Sequence, residues 1–218
     1  MSGDDRRARI LDTAAALFAD KGFAGSTREI AAAMGVTQAL LYRYFPSKQA
    51  LFDAVLEARF GGRWQQAWSE ALEDRSEPLD TRLIRFYEAY RGRSDAVSMR
   101  LWVRAGLDGQ QATGRFGAQR TRRVFAPIVR ELRHAAGLPD FGARGLMRGE
   151  RELAMALHAS VVFLGIRRHV YGMPMPDDVS DLIGLYVRAW LPGALLQLEA
   201  LHGPDADPML TVRVAFPR

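Results

Sequence analysis

Cysteine is absent from the 218 residues, which excludes disulfides, thiol catalysis and every zinc or iron–sulfur site built on thiolates. The four histidines, His134, His158, His169 and His202, stand at no metal-ligand spacing, so no metal and no cofactor is expected. Lysine is scarce as well: Lys21 and Lys48 are the only two among thirty basic residues, an arginine excess that we read as codon usage in a GC-rich genome. No run of about 18 uncharged apolar residues occurs, so no membrane span is expected. The first residues, MSGDDRRARI, carry charges as far as Arg9 and lack a signal-peptide core, which predicts a cytoplasmic chain. GxSxG, HExxH, P-loop and GxGxxG motifs are missing, and the glycines at 142, 145 and 149 have the wrong spacing for the last of these. Internal repeats and low-complexity segments are missing too.

What remains is 48% hydrophobic and 25% charged, a soluble globular composition long enough for one large domain or two unequal ones. The formal charge of +5 favours a polyanionic partner without requiring one. Apolar residues recur at helical spacing nearly throughout. Ile10, Leu11, Ala14, Leu17 and Phe18 mark a first helix from Arg6 to Lys21, stopped by Gly22. Ser26-Thr27-Arg28-Glu29 has the pattern of a capping box opening a short second helix that Gly35 ends. Thr37 offers the cap of a third helix through Gln38 to Tyr44, which Pro46 terminates, and Ser47 caps a fourth bearing Leu51, Phe52, Val55 and Leu56. Further helical blocks cover roughly 63 to 74, 79 to 92, 95 to 107, 115 to 136, 150 to 171 and 178 to 200, the last expected to kink or break at Pro192-Gly193. At the C-terminus Leu210, Val212, Val214 and Phe216 alternate with polar or small residues, which fits either an added edge strand or an extended tail.

Two short helices joined through a glycine turn have the helix-turn-helix layout, in which the second helix enters the DNA major groove. Ala31 sits where the helices cross closely, and Leu41 and Phe45, four apart, share the inner face of the second helix. Gln38, Ala39, Tyr42 and Arg43 are left to face outward or sideways. From Lys21 to Lys48 the basic residues Lys21, Arg28, Arg43 and Lys48 stand against the lone acid Glu29.

The segment GFAGSTREIAAAMGVTQALLYRYFPSKQALF resembles the N-terminal domain of TetR/AcrR transcriptional regulators, with cap, Gly35, Leu41-Tyr42, Phe45 and Lys48 all in register. The match covers roughly residues 6 to 56; the rest agrees only in its helical character. The resemblance implies an all-α chain of about nine helices: a helix-turn-helix DNA-binding domain over 1–48, a helical effector-binding and dimerisation domain over 49–203, and a tail over 204–218. It implies a double-stranded DNA partner contacted by Thr27, Arg28, Thr37, Gln38, Ala39, Leu40, Tyr42, Arg43, Tyr44 and Lys48. Within that set Gln38 and Ala39 would read base edges, while Tyr42, Tyr44 and Lys48 would clamp phosphates. Leu40 departs from the small or hydroxylated residue common at its position, and either meets a thymine methyl or packs on the fourth helix.

The same resemblance implies a homodimer and a small-molecule effector, apolar or aromatic in character. Leu153, Leu157, Ser160, Val161 and Leu164, with Tyr186 and Trp190, form the candidate dimer stripes. Aromatics are spread over the middle helices, Trp64, Trp68, Tyr87 and Phe116 among them. The candidate effector pocket takes Phe86, Tyr90, Trp102, Phe125 and Phe163, with His158, Arg100 or Arg104 supplying a polar contact. The chain is thus read as a ligand-responsive repressor on a palindromic operator. The competing readings are a helical adaptor or a cryptic enzyme without sequence-specific DNA binding.

Overall fold

A computed structural model describes residues 3–61, 66–91, 95–109 and 117–214; Trp64, Phe116 and Phe216 lie outside this set. Eleven α-helices fall among the described residues, against about nine expected. They are α1 (Gly3–Lys21), α2 (Thr27–Met34), α3 (Gln38–Tyr44), α4 (Lys48–Leu56), α5 (Gln66–Glu73), α6 (Leu79–Arg91), α7 (Ala96–Leu107), α8 (Ala126–Ala135), α9 (Arg148–His169), α10 (Ser180–Leu201) and α11 (Pro208–Thr211). Among the described residues strand is confined to a two-residue antiparallel pair, β1 (Leu146–Met147) with β2 (Arg213–Val214), in which Leu146 faces Val214. The C-terminal segment therefore does add a strand, preceded by a single helical turn at α11 that the Asp207 side chain caps by accepting from Met209 N. No helix among the described residues is long and apolar enough to cross a membrane.

The chain divides into two compact units, one built from residues 1–63, 94–116 and 169–171, the other from 64–93, 117–168 and 172–218. In the first, α1 to α4 bury Ile10, Phe18, Ile30, Leu41, Phe45 and Phe52 around one core, and Phe52 meets the rings of Phe18 and Phe23 edge-on at 4.9 and 5.3 Å. A boundary at residue 48 divides the chain differently from this packing, because Leu51, Phe52, Val55 and Leu56 of α4 are all buried in that same core. So are Leu101 and Ala105 of α7, which packs along α1. Asp108, just past α7, accepts from Phe23 N at 2.6 Å. The carboxylate occupies the space that a Cβ on Gly22 would need, and Gly22 itself adopts a positive φ of 63°.

The second unit packs α5, α6, α8, α9 and α10 around Leu83, Phe86, Tyr87, Phe125, Leu132, Leu157, Val161, Leu164, Ile183 and Val187. Two carboxylates lie fully buried in it. Glu131 takes a bidentate pair of hydrogen bonds from Arg75 and a 2.6 Å bond from Arg82, which also donates to the carbonyls of Leu72 and Glu77. Glu150 accepts from Arg133 at 2.6 Å and from Met147 N at 2.8 Å, and it lies 3.1 Å from His202 Nε2. Helix α10 runs on through Pro192, where a kink or break was expected. Pro192, Gly193 and Arg188 are all solvent-exposed, so the carbonyl that loses its partner four residues before the proline can be met by water.

Candidate nucleic-acid interface and aromatic cluster

Local hydrogen bonds fix the two-helix element before any tertiary contact is counted. Ser26 Oγ accepts from Glu29 N at 3.2 Å while Glu29 Oε2 accepts from Ser26 N at 2.9 Å, the reciprocal cap that opens α2. Glu29 also pairs with Lys21 at 2.5 Å, and the hydrogen bond from Lys21, followed by those from Ser26, holds its carboxyl down at about 2. Lys21 is thereby spent on an acid of its own chain. Gly35 closes α2 in the left-handed region at φ 67°, Thr37 caps α3 by accepting from Leu40 N, and Ser47 caps α4 by accepting from Ala50 N.

Leu41 on α3 and Phe45 at its C-terminal cap are buried in the core, and the opposite side of the helix is open to solvent. Ala39, Tyr42 and Arg43 are exposed, as are Arg28 and Thr37; Gln38, Leu40, Tyr44 and Lys48 are half-buried. Among the described residues neither Arg28 nor Arg43 pairs with an acid. Lys48 Nζ lies 4.5 Å from the centroid of the Phe23 ring, a cation–π contact that steadies the ammonium at the start of α4. Tyr44 packs against the first core. Thr27 is placed otherwise than a phosphate-facing hydroxyl would be: it is only 6% exposed, and its Oγ1 accepts from Gln38 Nε2 at 2.7 Å and shares a 3.2 Å hydrogen bond with the Tyr42 hydroxyl. The periodicity of α2 and α3 could not have disclosed this three-residue network, because it joins side chains across the turn.

Residues 10–55 match the family profile described as "Bacterial regulatory proteins, tetR family". That stretch carries the signature of a TetR-family N-terminal domain. The chain's relatives include the HTH-type transcriptional repressor KstR2 of Rhodococcus jostii (strain RHA1), 33% identical over 98 residues, 43% of this chain and 48% of that protein. The matched stretch thus spans about half the length of that curated relative. Among solved structures, a TetR-like transcriptional regulator from Rhodococcus sp. RHA1 superposes with a TM-score of 0.66 at 23% identity over 88% of this chain and 99% of the other. The ketosteroid transcriptional regulator KstR2 of Mycobacterium tuberculosis gives 0.57 at 18% identity, over 88% and 96%. These two likenesses establish the all-α TetR-like fold. The family and the relatives named are regulators, not enzymes.

In the second unit four of the six expected pocket residues come together. The His158 ring lies 5.3 Å from Tyr90 and 5.4 Å from Phe125, and Phe86 stacks near Tyr90 at 6.2 Å. Tyr87 joins them 6.0 Å from His158; it was passed over in the sequence although it stands three residues before Tyr90 on the same face of α6. Two residues do not join. Trp102 belongs to the first unit, edge-on to Phe60 at 5.3 Å, and Phe163 is 46% exposed on the far side of α9. Arg100 and Arg104 are exposed on α7 in the first unit as well. Burial drives the His158 imidazole down to about 3, so it is neutral at pH 7, and Arg120 pushes the same way. Among the described residues neither His158 Nδ1 nor the Tyr87 hydroxyl, both buried, has a hydrogen-bond partner.

The expected dimer stripes are largely spent on the chain's own interior. Leu157, Val161 and Leu164 are each 1% exposed in the second core. Leu153, Tyr186 and Trp190 pack against the same core, with Trp190 Nε1 donating to the Leu153 carbonyl at 3.1 Å. Ser160 alone of the seven is exposed, its hydroxyl returned to the Ala156 carbonyl. The opposite faces of α9 and α10 carry Phe163, Leu185 and Leu196 in the open.

Proposed function

We propose that the chain is a ligand-responsive transcriptional repressor of the bacterial cytoplasm that binds a palindromic operator as a homodimer and is released from it by a small-molecule effector. The observation that carries this reading is the outer side of α3. Gln38, Ala39, Tyr42 and Arg43 stand on a helix anchored by Leu41 and Phe45, flanked by Arg28 and Lys48. A rigid helix with a short polar row between cations meets the requirement for base reading inside a phosphate-lined groove. The dimer is supported by the exposed apolar side chains Phe163 on α9 and Leu185 and Leu196 on α10, which a second copy would cover, since a two-fold pair is what places two recognition helices one turn apart. The effector is supported by the buried orphan atoms of His158 and Tyr87 within the rings of Phe86, Tyr90 and Phe125. An apolar or aromatic molecule bearing one neutral polar group satisfies both. An effector that prefers a conformation with displaced heads shifts the population off DNA, and operator DNA weakens effector binding by the same factor.

Selection from random duplexes by the purified protein at moderate salt tests the reading, with an enriched inverted repeat as the expected result. On the selected operator, Lys48→Ala is expected to weaken binding to operator and scrambled duplex by the same factor and to reduce the salt slope by about 1. Gln38→Ala is expected to weaken only the operator, by about 1–3 kcal/mol. Equal losses on both duplexes for Gln38→Ala would remove its role as a reader.

A further inference from the structure

Gln38 has an amide that can face a base edge in two ways, and the side chains around it decide which. Its Nε2 donates to Thr27 Oγ1 at 2.7 Å, and the same oxygen lies 3.2 Å from the Tyr42 hydroxyl. Thr27 is 6% exposed whereas Tyr42 is 43% exposed, so the network runs from a buried hydroxyl to a phenol at the surface. In the free protein the Thr27–Tyr42 hydrogen bond can run in either direction.

A phosphate settles that direction by proton count. Phosphate oxygens only accept, so a Tyr42 hydroxyl that binds one gives it its single proton. The phenol oxygen then has only lone pairs to offer Thr27, and Thr27 must donate its own single proton to Tyr42. With that proton committed, Thr27 Oγ1 can meet Gln38 only as an acceptor. The amide must turn Nε2 toward it and Oε1 away. Gln38 then shows the groove one N–H and one carbonyl oxygen, the complement of the N7 acceptor and N6 donor of adenine. Guanine, which offers two acceptors at those places, is refused.

We propose that Thr27 is a positioning residue that couples a phosphate clamp to base choice: the contact of Tyr42 with the DNA backbone locks the amide of Gln38 in the orientation that reads adenine. The proposal rests on the DNA-binding reading above and adds to it a directional chain from Gln38 through Thr27 and Tyr42 to phosphate. Such a chain strengthens each of its bonds when its end is occupied.

The test uses the full-length protein and the operator enriched from random duplexes, with each base pair of the half-site exchanged in turn. Thr27→Val keeps the shape and removes the hydroxyl, Thr27→Ser keeps the hydroxyl, and each is made with Gln38 and with Gln38→Ala. Thr27→Val is expected to cut the preference for A·T over G·C about tenfold at the one position where Gln38→Ala acts, the order of a single bidentate contact. Thr27→Ser is expected to restore that preference. In the Gln38→Ala background Thr27→Val is expected to change no base preference at all. The proposal is overturned if Thr27→Val leaves the adenine preference intact, if its effect persists without Gln38, or if serine fails to restore it. A wild-type protein with no base preference anywhere would overturn the DNA-reading function itself, whereas a Gln38-dependent preference indifferent to Thr27 would overturn only the coupling.

Discussion

Glu131→Ala is expected to lower the unfolding free energy of the second unit by about 3–5 kcal/mol. Glu131 is fully buried and Arg82, whose guanidinium bonds it at 2.6 Å, is only 5% exposed. Deleting the carboxylate leaves that cation in the core with the carbonyls of Leu72 and Glu77 but without the one acid bonded to it among the described residues. A cost of this kind arises from the abandoned partner more than from the bond itself, so replacing Glu131 and Arg82 together by leucine and methionine is expected to cost much less. Denaturant titration checks both, and a loss under about 1 kcal/mol for the single variant would contradict the assignment. The pH dependence follows with a definite sign. Burial alone would raise the Glu131 pKa, but the hydrogen bonds from Arg75 and Arg82 outweigh it and the pKa is lowered. Its contribution is therefore present above the ordinary carboxylate range and is lost as pH falls through the lowered folded value. The single variant should narrow the stability difference between neutral and acidic pH.

Phe52→Ala is expected to cost about 3–5 kcal/mol in the first unit, since the ring is fully buried between Phe18 and Phe23 and leaves a cavity that two rigid rings fill poorly. Amide exchange measures it by region. Protection is expected to fall by about 100-fold or more in α1 to α4 and in α7, while α8 to α10 keep theirs. The behaviour of α7 is the informative part. If its amides remained as protected as those of α8, the placing of Leu101 and Ala105 in the core of the head would be refuted.

Much of the head can be read in the sequence because its determinants are local. The capping box at Ser26 and Glu29, the caps at Thr37 and Ser47, the left-handed Gly35 and the inner pair Leu41 and Phe45 all stand as their spacing requires. What the spacing does not carry is the address of an apolar stripe. Leu101 and Ala105 could serve any core; they serve that of the head. The stripe Leu157, Val161 and Leu164 has the same period whether it meets a second subunit or the interior of its own, and here it meets its own. Trp102 and Phe163 were placed with Phe125 by their aromatic character, which says nothing of the side of a helix on which they stand. Buried charge is the least visible of all. Glu131 and Glu150 read as solvated acids until the arginines that meet them, 49 and 17 residues away, are known. The Thr27 network is hidden for the same reason, since eleven and fifteen residues separate its members.

The packing of α7 along α1 has a consequence during protein synthesis. A chain made from its N-terminus completes α4 at Leu56 but receives Leu101 and Ala105 only some 50 residues later, roughly 3–10 seconds at ordinary elongation rates. For that interval α1 to α4 exist with one wall of their core open to water. The nascent chain should therefore engage chaperones soon after α4 emerges and leave them once α7 has emerged. A gene fragment ending after residue 61 should yield an aggregation-prone product and no free-standing DNA-binding domain.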